Sequence, residues 1–193
     1  MIRRSSTLLL VACIQLAVAP AYSASIGLFS ATNCNSCNLV LPAGSSQSFY
    51  IRANTEGVAP GIGFRGAGLK ISGLPDGWST TSVPSPFATV STGDPFGPEG
   101  AQIAFPASML GRCIDLYTVT LTATTAATEV RLQVVGVTSA WSPDVICPLF
   151  VPACRACDFD FCVVGGSLLI NSASECHVAV ETVSWAGIKS LFR

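Results

Sequence analysis

Four cysteines lie within the sixteen residues from Cys147 to Cys162, CPLFVPACRACDFDFC. Cysteines at such short spacings serve as metal ligands, as a redox pair or as disulfide partners. A second short pair, Cys34-Asn-Ser-Cys37, lies far upstream. Because thiols stay reduced inside cells and oxidise outside them, the compartment in which the protein works decides among these chemistries.

The N-terminal segment predicts export. Arg3 and Arg4 precede the apolar run Thr7–Ala19 (TLLLVACIQLAVA), and small residues follow it, as in a Sec signal peptide. Cleavage after Ser23 or after Ala21 satisfies the small-x-small rule. A membrane anchor needs about 20 apolar residues, and this run ends too early. We therefore expect an exported protein, located outside the cell, on its surface or in the periplasm.

A bacterial lipobox is the alternative interpretation of this segment. The tetrad Leu10-Val-Ala-Cys13 resembles one, and Cys13 would then be a lipidated N-terminus. The apolar run continues past Cys13, where a lipoprotein would already be mature, which favours removal of residues 1–23 as a signal peptide.

Removal of the signal peptide leaves an even number of cysteines, which in an exported chain is typical of a disulfide framework. The sequence cannot resolve which cysteine pairs with which, although Cys162 and Cys176 bracket a candidate hairpin at Gly165-Gly166 and could close it. We expect all eight to be oxidised: Cys34, Cys37, Cys113, Cys147, Cys154, Cys157, Cys162 and Cys176.

Zinc and thiol redox chemistry are the competing interpretations of the CxxC pairs. Two zinc knuckles usually lie about 15 to 20 residues apart, whereas Cys34 and Cys154 are separated by well over a hundred. A thioredoxin-like pair needs a helix N-terminus to stabilise its thiolate, and the strand-like Asp158–Cys162 follows Cys157 instead. We expect disulfides, with no metal and no cofactor.

The composition fits one globular exported domain. Charged residues make up only 11% of the chain. Without residues 1–23, eight Lys or Arg face eleven Asp or Glu, a net charge of −3. A nucleic acid or an anionic membrane surface requires a basic face on its partner. We expect neither as a partner, and no transmembrane segment in the mature chain.

Alternating runs predict an all-β fold, an antiparallel sandwich. Ser48–Asn54 places Phe49, Ile51 and Ala53 on one face. Tyr117–Ala123 and Val130–Val134 also alternate, and we expect them to form a β-hairpin. Its inward side chains should be Tyr117, Val119, Leu121, Val130, Leu132 and Val134. Further strands are predicted at Ile26–Ser30, Asn38–Leu41, Gly68–Gly73, Ala88–Thr92, Ala101–Phe105 and Ser167–Asn171.

Beyond the sandwich, predicted at residues 24–140, the sequence indicates two smaller parts. Residues 141–183 form a cysteine-rich extension, which should pack on the sandwich because its large side chains need burial. These side chains are Leu149, Phe150, Phe159 and Phe161. Residues 184–193 predict a short amphipathic helix, with Ser184 as its N-cap and an apolar stripe that begins at Trp185. So short a helix must dock, either on its own sandwich or on an export or surface-attachment partner.

Four blocks of the sequence resemble a group of small exported proteins of environmental bacteria. These are SIGLFSATNCNSCNLVLPAGSSQSFYI, ISGLPDGW, DPFGPEGAQIAFP and CVVGGSLLINSASECHVAVETVSWAGIKSLFR. The last, with its VExxxWxxIKSLxR-type ending, is the most specific. The resemblance implies an Ig-like or cohesin-like sandwich and an exported location, and it implies no chemistry. Compared with that group, Cys37 and Cys157 are extra and could form an additional bridge.

Candidate catalytic and ligand-binding residues are few. His177 is the only histidine, and a catalytic triad would have to be built around it. Asp158 and Asp160 share one face of a strand, where a glycosidase pair or a calcium site is the functional alternative to an exposed polar face. The candidate partner-binding residues are Trp78, Trp141 and Trp185, as sugar-stacking or docking side chains, although tryptophans more often lie in a core or cover a turn.

Two functions remain open on the sequence alone. The first is a non-catalytic exported module that is structural or binds a surface protein or a glycan. The second is a small extracellular hydrolase acting on a polymer, which would require a cleft with converging titratable groups. The sequence favours the first, and it leaves the oligomeric state open.

Overall fold

The computed structural model describes residues 24–55, 63–137, 147–153 and 161–176. Several predicted features therefore lie outside the described residues: the signal peptide, Trp141, Cys154, Cys157, Asp158, Phe159, Asp160, His177, Trp185 and the helix at 184–193. Thirteen strands are described: β1 Ser25–Phe29, β2 Asn38–Leu39, β3 Ser45–Asn54, β4 Phe64–Ser72, β5 Ser79–Pro84, β6 Val90–Gly93, β7 Ala101–Met109, β8 Ile114–Ala123, β9 Val130–Val135, β10 Leu149–Pro152, β11 Phe161–Cys162, β12 Val164–Gly165 and β13 Ser167–Ile170.

The strands form two sheets, so the predicted all-β two-sheet architecture is confirmed. The first sheet has the order β12-β1-β3-β8-β5. The second has the order β11-β10-β4-β9-β13-β2, with β7 beside β4 and β6 outside β7. Most pairs are antiparallel, and β1 with β12 and β2 with β13 are parallel. The described residues contain no helix, and hence none that could cross a membrane.

The core lies between the sheets and follows the alternation of the sequence. Phe49, Ile51 and Ala53 on β3 are at most 1% exposed, as predicted for one face of that strand. The six residues predicted to point inward from β8 and β9 are all buried as well. A period of two therefore identified the inner faces correctly, because each strand presents alternate side chains to opposite sides of its sheet.

The hairpin predicted from β8 and β9 is wrong. β8 pairs with β3 and β5 in the first sheet, and β9 pairs with β4 and β13 in the second. Residues 124–129 therefore carry the chain from one sheet to the other. The alternation of apolar residues shows which side chains point inward, but it does not show which strands are hydrogen-bonded to each other. Two strands that face each other across the core have the same alternation as two strands paired in one sheet.

The predicted hairpin at Gly165-Gly166 is also absent, because the chain crosses between the sheets there. Gly166 donates its N–H to the carbonyl of Ile26 in the first sheet and accepts from the N–H of Val134 in the second. A Cβ on Gly165 would lie 2.1 Å from the carbonyl oxygen of Val134. Only glycine fits at so close a backbone approach.

Strand β10, in the stretch predicted as a cysteine-rich extension, pairs with β4 as part of the second sheet, and the predicted burial of Leu149 and Phe150 is confirmed. Leu149 is 6% exposed and Phe150 is 0% exposed. The Phe150 ring stacks on that of Phe64 in β4, with centroids 4.6 Å apart. A disulfide joins Cys147 to Cys162 across the β10–β11 pair. The proposed Cys162–Cys176 bridge is thus wrong.

Candidate functional site

A cleft of about 470 Å³ opens beside β1, near one edge of the first sheet. Its lining includes the backbone and side chains of β1, the loop from Asn33 to Cys37, the turn at Arg112-Cys113 and the crossing at Gly166-Ser167. We call it the amide cleft, after three amide side chains in its lining: Asn33, Asn35 and Asn54.

Two disulfides hold the loop that forms one wall of the amide cleft. Cys34 is bonded to Cys113, just before β8, and Cys37 is bonded to Cys176, beyond β13. The two cysteines of this CxxC pair thus reach different parts of the chain. The additional bridge suggested between Cys37 and Cys157 is therefore wrong. Within the described part of the chain, three disulfides join all six cysteines, and the predicted oxidation of Cys154 and Cys157 lies outside it.

A buried arginine ties the same loop to the first sheet. Arg52 is 5% exposed, and its Nε donates to the carboxylate of Asp115 on the neighbouring strand. Its Nη1 donates to the carbonyl oxygen of Ala31, 3.4 Å away, and lies 3.8 Å from Sγ of Cys34. Its guanidinium also lies over the Tyr50 ring, 4.6 Å from the centroid. These contacts satisfy a buried charge and fix the loop over the sheet.

The lining of the amide cleft suits recognition of polar groups. Side-chain amides both donate and accept, the hydroxyls of Ser25 and Ser167 do the same, and Arg112 adds a positive charge. Two of these groups already have partners within the protein: Asn33 Oδ1 accepts the N–H of Asn35, and Ser167 Oγ accepts from the guanidinium of Arg131. Phe29 and the two disulfides contribute apolar surface. A concave site with a few polar groups on an apolar floor is the usual form of a small-ligand site.

A largely exposed stretch without charged residues runs from β5, at the opposite edge of the first sheet, to β6, the outermost strand beside β7 in the second sheet. Residues 79–93, which span β5, the connecting turn and β6, contain no Asp, Glu, Lys or Arg. We call this stretch the neutral edge. It carries three exposed large hydrophobic side chains, Val83 at 58%, Phe87 at 68% and Val90 at 54%.

The phenol of Tyr117 lies between the neutral edge and the core, and its pKa is perturbed. Burial raises its pKa above the ordinary value of 10.0, a hydrogen bond with Ser91 acts in the opposite direction, and the negative charge of Asp94 adds to the rise. The phenol oxygen lies 3.0 Å from Oγ of Ser91. At neutral pH the group is protonated, which suits a structural hydrogen bond.

Of the three tryptophans proposed as partner-binding residues, Trp78 alone lies within the described part of the chain. It is 5% exposed, and its Nε1 donates to the carbonyl oxygen of Thr125 at 3.0 Å. Trp78 therefore covers the turn between the sheets and offers almost no surface to a sugar. In the same part of the chain, no three His, Cys, Asp or Glu side chains converge as a metal site requires.

Sequence reasoning missed the amide cleft. Its amides belong to a short loop and to the end of β3, and nothing in their spacing brings them together. Both Cys34 and Cys113 have positive φ, 55° and 58°, a conformation that non-glycine residues seldom adopt. The Asn-Cys-Asn run at 33–35 is the one local signal, because asparagines favour tight loops.

No family model matches the chain, and no curated protein matches it. Among solved structures, a cohesin module from the Clostridium perfringens ATCC13124 family 33 glycoside hydrolase is similar, with a TM-score of 0.48 and 12% identity, over 78% of this chain and 96% of that one. A non-cellulosomal cohesin from the hyperthermophilic archaeon Archaeoglobus fulgidus has a TM-score of 0.41 and 15% identity, over 77% and 91%. Both TM-scores are below 0.5.

Proposed function

We propose that the protein is an exported, non-catalytic β-sandwich module that binds an extracellular glycan in the amide cleft. The observation that carries this proposal is the lining of the cleft, which includes Asn33, Asn35, Asn54, two serines and Arg112. Amides, hydroxyls and a guanidinium supply the mixed donors and acceptors that match the hydroxyl groups of a sugar.

The disulfides support both parts of this proposal. Three bridges fit a protein that folds in an oxidising compartment. Two of them hold the loop that walls the cleft, so the loop loses little conformational freedom when a ligand binds. A rigid wall of this kind favours a ligand whose shape already matches the cleft.

Glycan-array binding of the oxidised chain from residue 24 tests the proposal. We expect a defined set of glycans to bind, and Asn35→Ala to reduce the signal because it removes one amide from the cleft. Gln102→Ala is the matched control, since Gln102 is an exposed amide on β7, outside the cleft.

Three results would count against the proposal. The first is an array without binding above background, and the second is equal loss of binding in the two variants. The third is cleavage of a bound glycan, which would support the alternative of a small extracellular hydrolase.

A further inference from the structure

Strand β5, the part of the neutral edge that belongs to the first sheet, is the last strand of that sheet. Within the described part of the chain, β5 is hydrogen-bonded to β8 and to no other strand. An open strand edge presents main-chain donors and acceptors to another chain, and proteins usually protect such an edge with charged side chains or proline. Here Pro84 protects one end, and β5 itself contains no charged residue.

The hydrogen-bond pattern shows which residues of β5 face outward. Ser85 donates its N–H to the carbonyl of Leu116, so its main chain points toward β8. In an antiparallel pair the residues point alternately toward and away from the partner strand. The main-chain groups of Thr80, Ser82 and Pro84 therefore point away from β8. Pro84 lacks an N–H and is tolerated because it faces outward.

We propose that two copies of the protein associate through β5, antiparallel and about a twofold axis at Thr81. Ser82 of each copy then lies opposite Thr80 of the other, and these pairs exchange about four main-chain hydrogen bonds. Pairing stops at Pro84. The first sheets of the two copies become one continuous sheet, and the amide cleft beside β1, at the other edge, stays open.

A second copy fits this edge because β5 itself carries no charged side chain. Close to a twofold axis each side chain meets its own copy or a near neighbour, so a charged residue there would face a like charge. Thr81 would meet Thr81, and the exposed Val83 would meet Ser79. Asp94, the first carboxylate after the neutral edge, already accepts bonds from Ser82 Oγ and the N–H of Phe96.

Charged substitutions at Thr81, the residue on the proposed axis, test the proposal. Association of the oxidised chain from residue 24 is measured by sedimentation. We expect the wild type to form dimers at high micromolar concentration. Thr81→Lys and Thr81→Glu should each weaken association at least about tenfold, because each places like charges opposite one another. An equal mixture of the two variants should restore association, because the lysine of one copy then faces the glutamate of the other.

Ser48→Lys is the matched control. Ser48 is exposed on β3, two strands from the edge, so the variant carries the same added charge away from the axis and should associate as the wild type does. A wild type that stays monomeric at millimolar concentration would overturn the proposal. So would Thr81 variants that associate normally, or a mixture that stays as monomeric as its components. Because the amide cleft plays no part in these outcomes, the proposed glycan binding stands or falls separately.

Discussion

Replacing Phe150 by alanine should destabilise the whole domain, not only the cysteine-rich extension. The Phe150 side chain is 0% exposed and stacks on Phe64, a residue of the central strand β4. Loss of a fully buried phenylalanine and the cavity that remains cost about 3 to 5 kcal/mol. For a domain of this size that corresponds to a fall of about 10 °C in Tm.

Urea unfolding followed by tryptophan fluorescence measures this loss, because Trp78 is buried on the sandwich. The matched control is Val151→Ala on the same strand, where the side chain is 43% exposed and truncation should cost less than about 0.5 kcal/mol. If Phe150→Ala costs no more than Val151→Ala, the extension does not belong to the cooperative core, and the reasoning from its burial is refuted.

Three further substitutions test other contacts. Tyr117→Phe should lower the free energy of unfolding by about 1 kcal/mol at neutral pH. The raised pKa of Tyr117 makes the folded state more stable below pH 10 than above it. As the pH rises beyond 10 in a denaturation series, the Tyr117→Phe variant should therefore lose less stability than the wild type. Parallel stability curves for the two proteins would contradict this. Gly165→Ala, which brings a methyl group against the carbonyl of Val134, should cost about 1 to 3 kcal/mol by chemical denaturation, and an unchanged midpoint would reject the close crossing. Replacing Cys34 and Cys113 together by alanine removes a disulfide between cysteines 79 residues apart and should lower the free energy of unfolding by about 4 kcal/mol. It should also make the loop at 30–37 sensitive to proteases. A loop that remains resistant would show that the disulfide does not hold it.

The sequence predicted the inner faces of the strands because burial imposes a period of two. Runs such as Ser48–Asn54 have that period, and β3 forms there. β5 was missed, since its residues Ser-Thr-Thr-Ser-Val-Pro carry no apolar alternation at an edge that buries little. The partners of β8 were predicted wrongly, because a buried face does not specify which strand lies beside it.

The candidate site was beyond the reach of sequence reasoning for a related physical reason. The amide cleft depends on which cysteines pair, and eight cysteines permit many pairings. With Cys34 bonded to Cys113 and Cys37 to Cys176, the loop that carries Asn33 and Asn35 lies beside β1, and these residues line one cleft with Asn54. Long-range covalent bonds thus create a site that no local pattern encodes.

The most direct test of the proposed function is calorimetric titration of the oxidised protein with the glycan that gives the strongest array signal. We predict saturable binding to the wild type and to Gln102→Ala with the same Kd. Asn35→Ala should weaken binding about 2- to 10-fold, the effect of losing one uncharged hydrogen bond. The same Kd for all three proteins, or heat from hydrolysis of the glycan, would contradict a binding module that uses the amide cleft.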